Sequence, residues 1–154
     1  MSEDLLDDFR VTRIREAFAS VPYAKFLGLE LGEIRNGEAS ICLEVRDELK
    51  QNQGVMHGGA VASLIDTAAA FAVVTKLDAG ERVTTTDLTI HFLRPITKGR
   101  LTAIARVLRS GRRLFVLTVE VWDDAQTLVA TAVTGYLKIP QPAEKPQQNS
   151  RNSS

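Results

Sequence analysis

Residues 60–74 read AVASLIDTAAAFAVV, and this apolar segment limits the fold of the 154-residue chain more than any other feature. A helix over the segment is apolar around most of its circumference, so it must be covered on nearly every side. We expect the helix to follow a glycine-bearing loop and to end at 76–80. The rest of the sequence predicts mainly strands, and only a curved sheet can cover such a helix. The chain is therefore predicted to be α+β, with a curved antiparallel sheet wrapped around one long central helix.

Alternation of apolar and polar residues predicts the strands of this sheet. The dipeptide Asn36-Gly37 favours a hairpin turn between the first two strands, and residues 39–45 alternate with a period of two. Further strands are predicted at 84–93, 101–108, 114–122 and 128–139. Helical spacing of apolar residues predicts an amphipathic helix at 3–20 and a short helical turn at 23–27.

These patterns predict three parts of the chain. Residues 1–25 are expected to form an N-terminal helical extension, and residues 26–139 a single domain that contains the sheet and the long helix. The last part, 140–154, is rich in Pro, Gln, Ser and Asn without an apolar period. Such a composition buries too little apolar surface to fold, so this tail is predicted to be disordered.

Charge balance and cysteine content argue against several kinds of partner. The 19 basic and 19 acidic residues cancel, which predicts no general attraction to nucleic acid or to an anionic membrane. Cys42 is the only cysteine, so a disulfide within the chain is impossible and a reducing compartment is expected. The N-terminus is acidic and the longest apolar segment is too short to span a bilayer. We therefore predict a cytoplasmic protein; with two histidines and scattered carboxylates, no metal site is expected.

Asp66 is the one charged residue in the apolar segment, and it needs an explanation. Burying a carboxylate is costly unless hydrogen-bond donors or a cation meet it. One reading is an inert acid paired with a strand arginine. The sequence just before the helix, His57-Gly58-Gly59, suggests another reading, because free N–H groups at a helix start favour negative charge. An acid and a donor-rich helix start together predict a reaction centre that handles an oxyanion.

The order of elements and three motifs resemble the hotdog-fold acyl-CoA thioesterases, in particular the phenylacetate-pathway type. The motifs are His57-Gly58-Gly59, the sequence LIDT at 64–67, and TTTDLTIHFLRP at 84–95, which is similar to the central strand of the family. The resemblance covers 26–139. It implies hydrolysis of an aryl- or fatty-acyl-CoA to the free acid and CoA, with no cofactor besides the CoA part of the substrate. It also implies a homodimer or a homotetramer.

The resemblance assigns the central chemistry to Gly58 and Asp66. The backbone N–H of Gly58 would polarise the thioester carbonyl, and Asp66 would attack the carbonyl carbon or activate water; both mechanisms stay open. Eight residues along a helix correspond to about 12 Å, so one carbonyl cannot touch both groups of the same chain. The mechanism therefore requires Gly58 from one protomer and Asp66 from the other, at a dimer interface.

Four further residues receive supporting roles from the resemblance. An amide upstream of the histidine would orient the acid or the water, and both Gln51 and Asn52 are candidates. His57 would support the loop and the substrate carbonyl. Thr85 is similar to a position that carries a hydroxyl in some relatives and assists the water across the dimer. Strand alternation predicts that Thr85 shares one face with Asp87, Thr89 and His91.

The remaining candidates concern the two ends of the substrate. Arg109, Arg112 and Arg113 cluster at a predicted turn and are candidates for the phosphates of CoA, although solvated turn charges are the alternative. An apolar tunnel for the acyl chain is expected along Val61, Leu64, Ile65 and Ala68. Two other functions stay open: a non-catalytic hotdog protein that binds or senses acyl-CoA, and a hotdog dehydratase, for which no second histidine is suitably placed.

Overall fold

The computed structural model of the chain describes residues 5–140, so nearly all of the predicted disordered tail lies outside the described residues. Helices and strands follow one another as α1 Asp8–Ala19, α2 Pro22–Leu27, β1 Glu30–Arg35, β2 Glu38–Glu44, α3 Gly58–Val74, β3 Arg82–Phe92, β4 Arg100–Ser110, β5 Leu114–Trp122 and β6 Leu128–Ile139. A single 3₁₀ turn, Asp47–Leu49, lies in the loop between β2 and α3.

All six strands form one antiparallel sheet with the order β1-β2-β4-β5-β6-β3. The sheet curves around α3, which contacts β2 through β6. This confirms the predicted α+β architecture and the hotdog arrangement that the resemblance implies. Strand β3, which is similar to the central strand of the family, lies at an edge of this sheet. Among residues 5–140, only β6 pairs with β3, so the other edge of β3 is open in this part of the chain.

Apolar side chains from α3 and from alternate positions of the strands form the core. The apolar strand residues on the inner face without solvent exposure include Ala39, Ile41, Leu43, Leu101, Ala103, Ala105, Leu117, Val119, Val121 and Ala130. On α3 itself, Leu64 and Ile65 are fully buried, and the alanines around them allow the sheet to approach closely. Burial of each large aliphatic side chain contributes about 1.5–3 kcal/mol. The alternating apolar residues of the strands and the apolar residues of the helix therefore pack against each other in one core.

The long helix ends at Val74, before the predicted range of 76–80. The next residue, Thr75, is fully buried, and its hydroxyl donates to the carbonyl of Ala72 at 2.7 Å. The same hydroxyl accepts the backbone N–H of Gly37 at 2.7 Å. One side chain thus ends the helix and ties it to the β1–β2 turn, a contact between distant parts of the sequence.

The two N-terminal helices pack beside the sheet-wrapped helix. Helix α1 begins later than predicted, because Asp7 caps it by accepting the N–H of Arg10 at 2.7 Å. Its Ile14 is buried, and Phe18 packs edge-on against Phe71 of α3 with ring centroids 5.1 Å apart. Helix α2 confirms the predicted short helical turn. Whether residues 1–25 form a separate extension stays a prediction.

A β-bulge in β3 corrects the prediction of which residues share a face. Thr85 pairs with Tyr136 and Asp87 pairs with Gly135, so Thr86 is an extra residue without a partner on β6. An extra residue reverses the alternation of side chains along the strand. Thr85 accordingly lies on the side of α3, whereas Asp87 lies on the exposed side.

Beyond the bulge, the half-buried residues of β3 are Leu88 and Ile90, and the exposed ones include Thr89 and His91. The prediction that Thr85 shares a face with Asp87, Thr89 and His91 is therefore wrong. Gly135 makes room for the bulge, since a Cβ there would collide with the Asp87 carboxylate and lie 2.7 Å from the Thr86 hydroxyl.

Candidate active site

The Asp66 carboxylate lies between α3 and the β3–β6 strand pair and is half-buried. Its Oδ1 accepts a hydrogen bond from the Thr85 hydroxyl at 3.0 Å and another from the Tyr136 hydroxyl at 2.5 Å. The Tyr136 hydroxyl also lies 2.7 Å from the backbone carbonyl oxygen of Asp66. Thr85 and Tyr136 are direct partners across the two strands, so both hydroxyls reach the same oxygen.

Both hydrogen bonds leave Oδ2 of Asp66 without a partner among residues 5–140. No ion pair within that range involves this carboxylate either, so the reading of an acid paired with a strand arginine is wrong. Neutral donors offset the cost of burial on an apolar helix without neutralising the charge. Asp66 therefore keeps one oxygen with free lone pairs on a partly exposed side of the helix.

Tyr136 is a member of this group that the sequence reasoning did not identify. Its ring is buried, with 2 % of its surface exposed. Burial raises the pKa of Tyr136 well above its usual range, and the hydrogen bond to Asp66 raises it further, so the phenol remains a donor. Period-two alternation on β6 places Tyr136 on the inner face. Its contact with Asp66 depends on strand pairing, which the alternation alone does not specify.

The start of α3 arranges a free backbone donor. His57 caps the helix: its Nδ1 accepts the N–H of Gly59 at 2.8 Å, and its carbonyl accepts those of Ala60 at 3.0 Å and Val61 at 3.3 Å. The first four N–H groups of a helix have no partner inside it. Among the described residues, the N–H of Gly58 is the one in this turn that has no acceptor.

The side chain of His57 also explains the second glycine of the motif. A Cβ on Gly59 would lie 2.9 Å from Nδ1 of His57, too close for the cap to form. Because Nδ1 accepts a hydrogen bond, a neutral imidazole carries its proton on Nε2. His57 therefore caps the helix start, and its role in binding the substrate carbonyl stays a prediction.

The two candidate amides lie in the loop before the helix. Gln51 folds this loop, because its Oε1 accepts the N–H of Gln53 at 2.8 Å and its own N–H donates to the carbonyl of Val55 at 2.8 Å. Asn52 is exposed beside it. The choice between Gln51 and Asn52 stays a prediction.

Within one chain the structure does not bring Gly58 and Asp66 together. Both lie on α3, and eight residues of helix correspond to about 12 Å. Gly58 lies against the ring of Phe92 near the end of β3. A Cβ added to Gly58 would lie 3.3 Å from the ring carbon Cζ of Phe92. Asp66 contacts Thr85, seven positions earlier on the same strand. The free N–H and the free carboxylate oxygen are thus associated with different ends of β3.

A cavity of about 290 Å³ adjoins Gly58. Its apolar lining includes Met56, Val61, Phe92 and Ile96. The tunnel predicted from the sequence is wrong for three of its four residues, which are fully buried in the core: Leu64, Ile65 and Ala68. A helix covered by a sheet has no room for a ligand on its buried side.

A second cavity, of about 480 Å³, carries a cluster of positive charge at one end of the sheet. Arg112 and Arg113 line it together with Arg82 and Lys138, which the sequence reasoning did not include, whereas Arg109 is not in its lining. Lys138 is paired with Glu81 at 2.8 Å. The three arginines in the lining form no ion pair with any residue between 5 and 140.

Residues 5–140 contain neither of two other features that would suggest a different kind of site. No group of three or more His, Cys, Asp or Glu side chains there is placed to hold a metal ion. No helix in the same range is long and apolar enough to cross a membrane.

Comparison with known proteins gives consistent matches. The sequence model of the thioesterase superfamily matches residues 53–130, which include the helix start, Asp66 and the arginine turn. The medium/long-chain acyl-CoA thioesterase YigI of Escherichia coli strain K12 is 30% identical over 132 residues, covering 76% of this chain and 85% of YigI. The YigI protein of Salmonella typhimurium strain LT2 matches to the same extent.

Solved structures share the fold. The PaaI protein from the phenylacetic acid degradation operon of Escherichia coli has a TM-score of 0.80 and 27% identity, covering 86% of this chain and 96% of PaaI. The thioesterase HI1161 of Haemophilus influenzae has a TM-score of 0.75 at 24% identity, with 80% and 86% of the two chains covered. The second likeness concerns the fold alone.

The raised pKa of Tyr136 predicts a loss of stability at alkaline pH. An unfolded tyrosine ionises near pH 10, at about its reference pKa. Because the folded chain holds the proton more tightly, stability is retained below that pH and lost as the pH rises above it, by at most about 1.4 kcal/mol per pH unit. Urea unfolding at about pH 9 to 11 is expected to show a shallower decrease in Tyr136→Phe than in wild type. The exposed Tyr23, changed in Tyr23→Phe, is the control; equal slopes for Tyr136→Phe and wild type would contradict the prediction.

Proposed function

The chain belongs to the thioesterase superfamily and is a thioester hydrolase, and we propose that it hydrolyses acyl-CoA to the free acid and CoA at a homodimer interface. The observation that carries the proposal is that two groups have no hydrogen-bond partner among residues 5–140: the backbone N–H of Gly58 and Oδ2 of Asp66. The N–H can stabilise a developing oxyanion, and the carboxylate oxygen can act as a general base or a nucleophile.

The open edge of β3 supports a dimer. This strand has 11 residues, and a long open edge exposes unpaired N–H and C=O groups that pair readily with another chain. Protection by a second copy of β3 gives an antiparallel, two-fold symmetric contact. We therefore propose that β3, an edge in one chain, becomes central in the dimer; a tetramer stays a prediction from the resemblance.

The contacts at the two ends of β3 suggest the register of that pairing. Gly58 adjoins Phe92, and Asp66 adjoins Thr85. If Phe92 lies near the partner's Thr85, the two-fold axis passes through the middle of β3, close to Leu88 or Thr89, because one residue of a symmetric antiparallel pair faces its own copy. Each Gly58 then lies beside the partner's Asp66, which the helix length prevents within one chain. This arrangement gives two equivalent sites.

The proposed reaction begins when the thioester carbonyl oxygen accepts the Gly58 N–H. In the general-base mechanism, Oδ2 of the partner's Asp66 takes a proton from water as the water oxygen bonds to the carbonyl carbon. The tetrahedral intermediate then collapses, its C–S bond breaks, and the CoA thiolate takes the proton from the carboxyl group. A single donor to an oxyanion is typically worth about 3 kcal/mol.

A nucleophilic mechanism uses the same atoms in a different order. Oδ2 bonds to the carbonyl carbon and expels the CoA thiolate, which leaves a mixed anhydride. Water then hydrolyses the anhydride and restores the carboxylate. Both mechanisms need Oδ2 to be free and correctly directed, so the geometry of Asp66 supports either.

We also propose a location for each end of the substrate. The cavity beside Gly58 is the candidate for the acyl group, of fatty or aryl type. The cluster of Arg82, Arg112, Arg113 and Lys138 is the candidate for the phosphates of CoA, since unpaired guanidinium groups bind phosphate well. Arg82 is three residues from Thr85, which corresponds to about 10 Å along an extended strand. Because Thr85 contacts Asp66, the cluster lies at a distance from the reacting carbon, as the long CoA part of the substrate requires.

Asp66→Asn is expected to lower kcat about 10²- to 10⁴-fold, because an amide cannot act as base or nucleophile. Thiol release from acetyl-, octanoyl-, palmitoyl-, benzoyl- and phenylacetyl-CoA measures the effect and identifies the acyl class. Asp87→Asn is the matched control, an exposed acid on the neighbouring strand. Unchanged turnover in Asp66→Asn would reject the mechanism. If the wild type binds CoA esters but releases CoA from none of them, the result would favour the sensing function instead.

Gly58→Pro removes the proposed oxyanion donor while preserving the helix start. Proline is well tolerated at the first helical position, and His57 already has the extended backbone, ψ 132°, that a residue before proline requires. We expect kcat to fall about 10²- to 10³-fold. The exposed ring of Phe92 must shift slightly to admit the new side chain, so circular dichroism should accompany the kinetics.

Mixing the two inactive variants tests whether the site is shared. A heterodimer of Asp66→Asn and Gly58→Pro protomers contains one site with both groups intact and one site with neither. Refolding an equal mixture should therefore restore about a quarter of the wild-type rate. If Gly58 and Asp66 acted within one protomer, every site would lack one group and the mixture would remain inactive.

Substitution of the arginine cluster should raise KM for CoA esters. Arg112→Gln with Arg113→Gln removes two charged donors, which predicts an increase in KM of about tenfold or more. The corresponding N-acetylcysteamine thioesters lack the nucleotide, so their KM should not change. The exposed Arg35, changed in Arg35→Gln, is the control. An equal effect on both substrate series would contradict a phosphate-binding role.

A further inference from the structure

We propose that Tyr136 is a positioning residue that holds Oδ1 of Asp66 and thereby presents Oδ2 to the substrate. The proposal rests on the function proposed for Asp66, and it assigns a role to a side chain that does not touch the reacting atoms. Thr85 assists from the opposite strand. The two hydroxyls converge on one oxygen of a carboxylate that has two.

The contacts of Tyr136 restrict the orientation of Asp66 at two points. Its hydroxyl lies 2.5 Å from Oδ1 and 2.7 Å from the backbone carbonyl oxygen of the same residue. An aspartate side chain has only two rotatable bonds, so a fixed position for one oxygen also defines the direction of the other. The buried ring, packed between the sheet and α3, gives the hydroxyl a firm support.

Little else on α3 can hold this carboxylate. The residues three and four positions away on the helix are its surface neighbours, and they are all small: Ala62, Ser63, Ala69 and Ala70. The Ser63 hydroxyl donates to the carbonyl of Gly59 at 2.8 Å rather than to Asp66. Packing therefore leaves the rotamer of Asp66 loose, and the two hydroxyls from the sheet determine it.

Neutral donors suit a carboxylate that must react. A lysine or arginine at the position of Tyr136 would pair with the charge and reduce the basicity of the carboxylate. A phenol in this buried place stays protonated, so it donates throughout the neutral pH range. Tyr136 thus orients the acid without neutralising it.

The fold supports this contact through the bulge of β3. Thr85 lies opposite Tyr136 because the extra residue Thr86 reverses the side-chain alternation immediately after Thr85. Gly135 next to Tyr136 leaves room for the outward side chains of the bulge, and the Thr134 hydroxyl donates to the carbonyl of Asp87 at 2.7 Å. Three consecutive residues of β6 therefore maintain the geometry around Asp66.

Tyr136→Phe tests the proposal by removing only the hydroxyl. We expect kcat to fall about 10- to 100-fold with KM changed less than twofold, because small misplacements of a reacting group affect turnover more than binding. Tyr23→Phe is the matched control: it removes the only other tyrosine hydroxyl, which contacts Ser63 of the same helix at 2.9 Å. An unchanged kcat in Tyr136→Phe would overturn the proposal.

A second background separates positioning from a general structural effect. In Asp66→Asn, no reactive oxygen remains to be positioned, so adding Tyr136→Phe should leave the residual rate unchanged. An equal fall in both backgrounds would overturn the proposal. The same comparison distinguishes its failure from that of the proposed function: if Asp66→Asn keeps full turnover, the function of Asp66 is wrong, whereas loss in Asp66→Asn with full turnover in Tyr136→Phe rejects only the role of Tyr136.

A fluorinated tyrosine gives a complementary test that keeps the hydroxyl. In the Tyr23→Phe chain Tyr136 is the only tyrosine, so 3-fluorotyrosine supplied during expression enters at this position alone. The fluorinated phenol still donates to Oδ1, so the orientation of the carboxylate is preserved. We expect kcat to stay within a few-fold of that of Tyr23→Phe with KM unchanged, and a loss as large as that of Tyr136→Phe would overturn the proposal.

Discussion

The hydrogen bonds between the Asp66 carboxylate and two hydroxyls of the sheet are the interaction on which the proposed site depends. A carboxylate in an apolar helix is tolerated only where donors meet it, and Thr85 and Tyr136 are those donors. They stabilise the charge through one oxygen and leave the other without a partner in the described part of the chain. The same contacts connect α3 to the β3–β6 pair. One arrangement therefore supplies the donors that a buried carboxylate needs and leaves the oxygen that the proposed chemistry needs.

The second constraint is the length of the helix. Gly58 and Asp66 are about 12 Å apart along α3, farther than one carbonyl group can bridge. The open edge of β3 offers a way to bring them together, since two copies paired along that edge place the start of one helix beside the acid of the other. In this proposal, dimerisation both protects an exposed strand edge and completes the site.

Much of the fold followed from local patterns. The apolar segment, the alternating strands and the Asn36-Gly37 turn predicted a sheet wrapped around one helix, and the structure confirms it. The patterns could not predict the bulge at Thr86, because an extra residue leaves almost no trace in composition while reversing every later side chain of the strand. For the same reason they grouped Thr85 with Asp87, Thr89 and His91, although Thr85 lies on the opposite face of the sheet. The patterns also placed an acyl tunnel along helix residues that the sheet covers.

The sequence by itself determined the acid, the donor-rich helix start and the class of fold, because each depends on residues close together in the chain. Only the tertiary structure decided which groups meet that acid. Tyr136 is 70 positions from Asp66, so their contact depends on strand register. The cluster of Arg82 with Arg112 and Arg113 at one end of the sheet depends on strand register as well. Register is set by the pairing of distant strands and by the bulge, which is why the free oxygen of Asp66 became visible only in three dimensions.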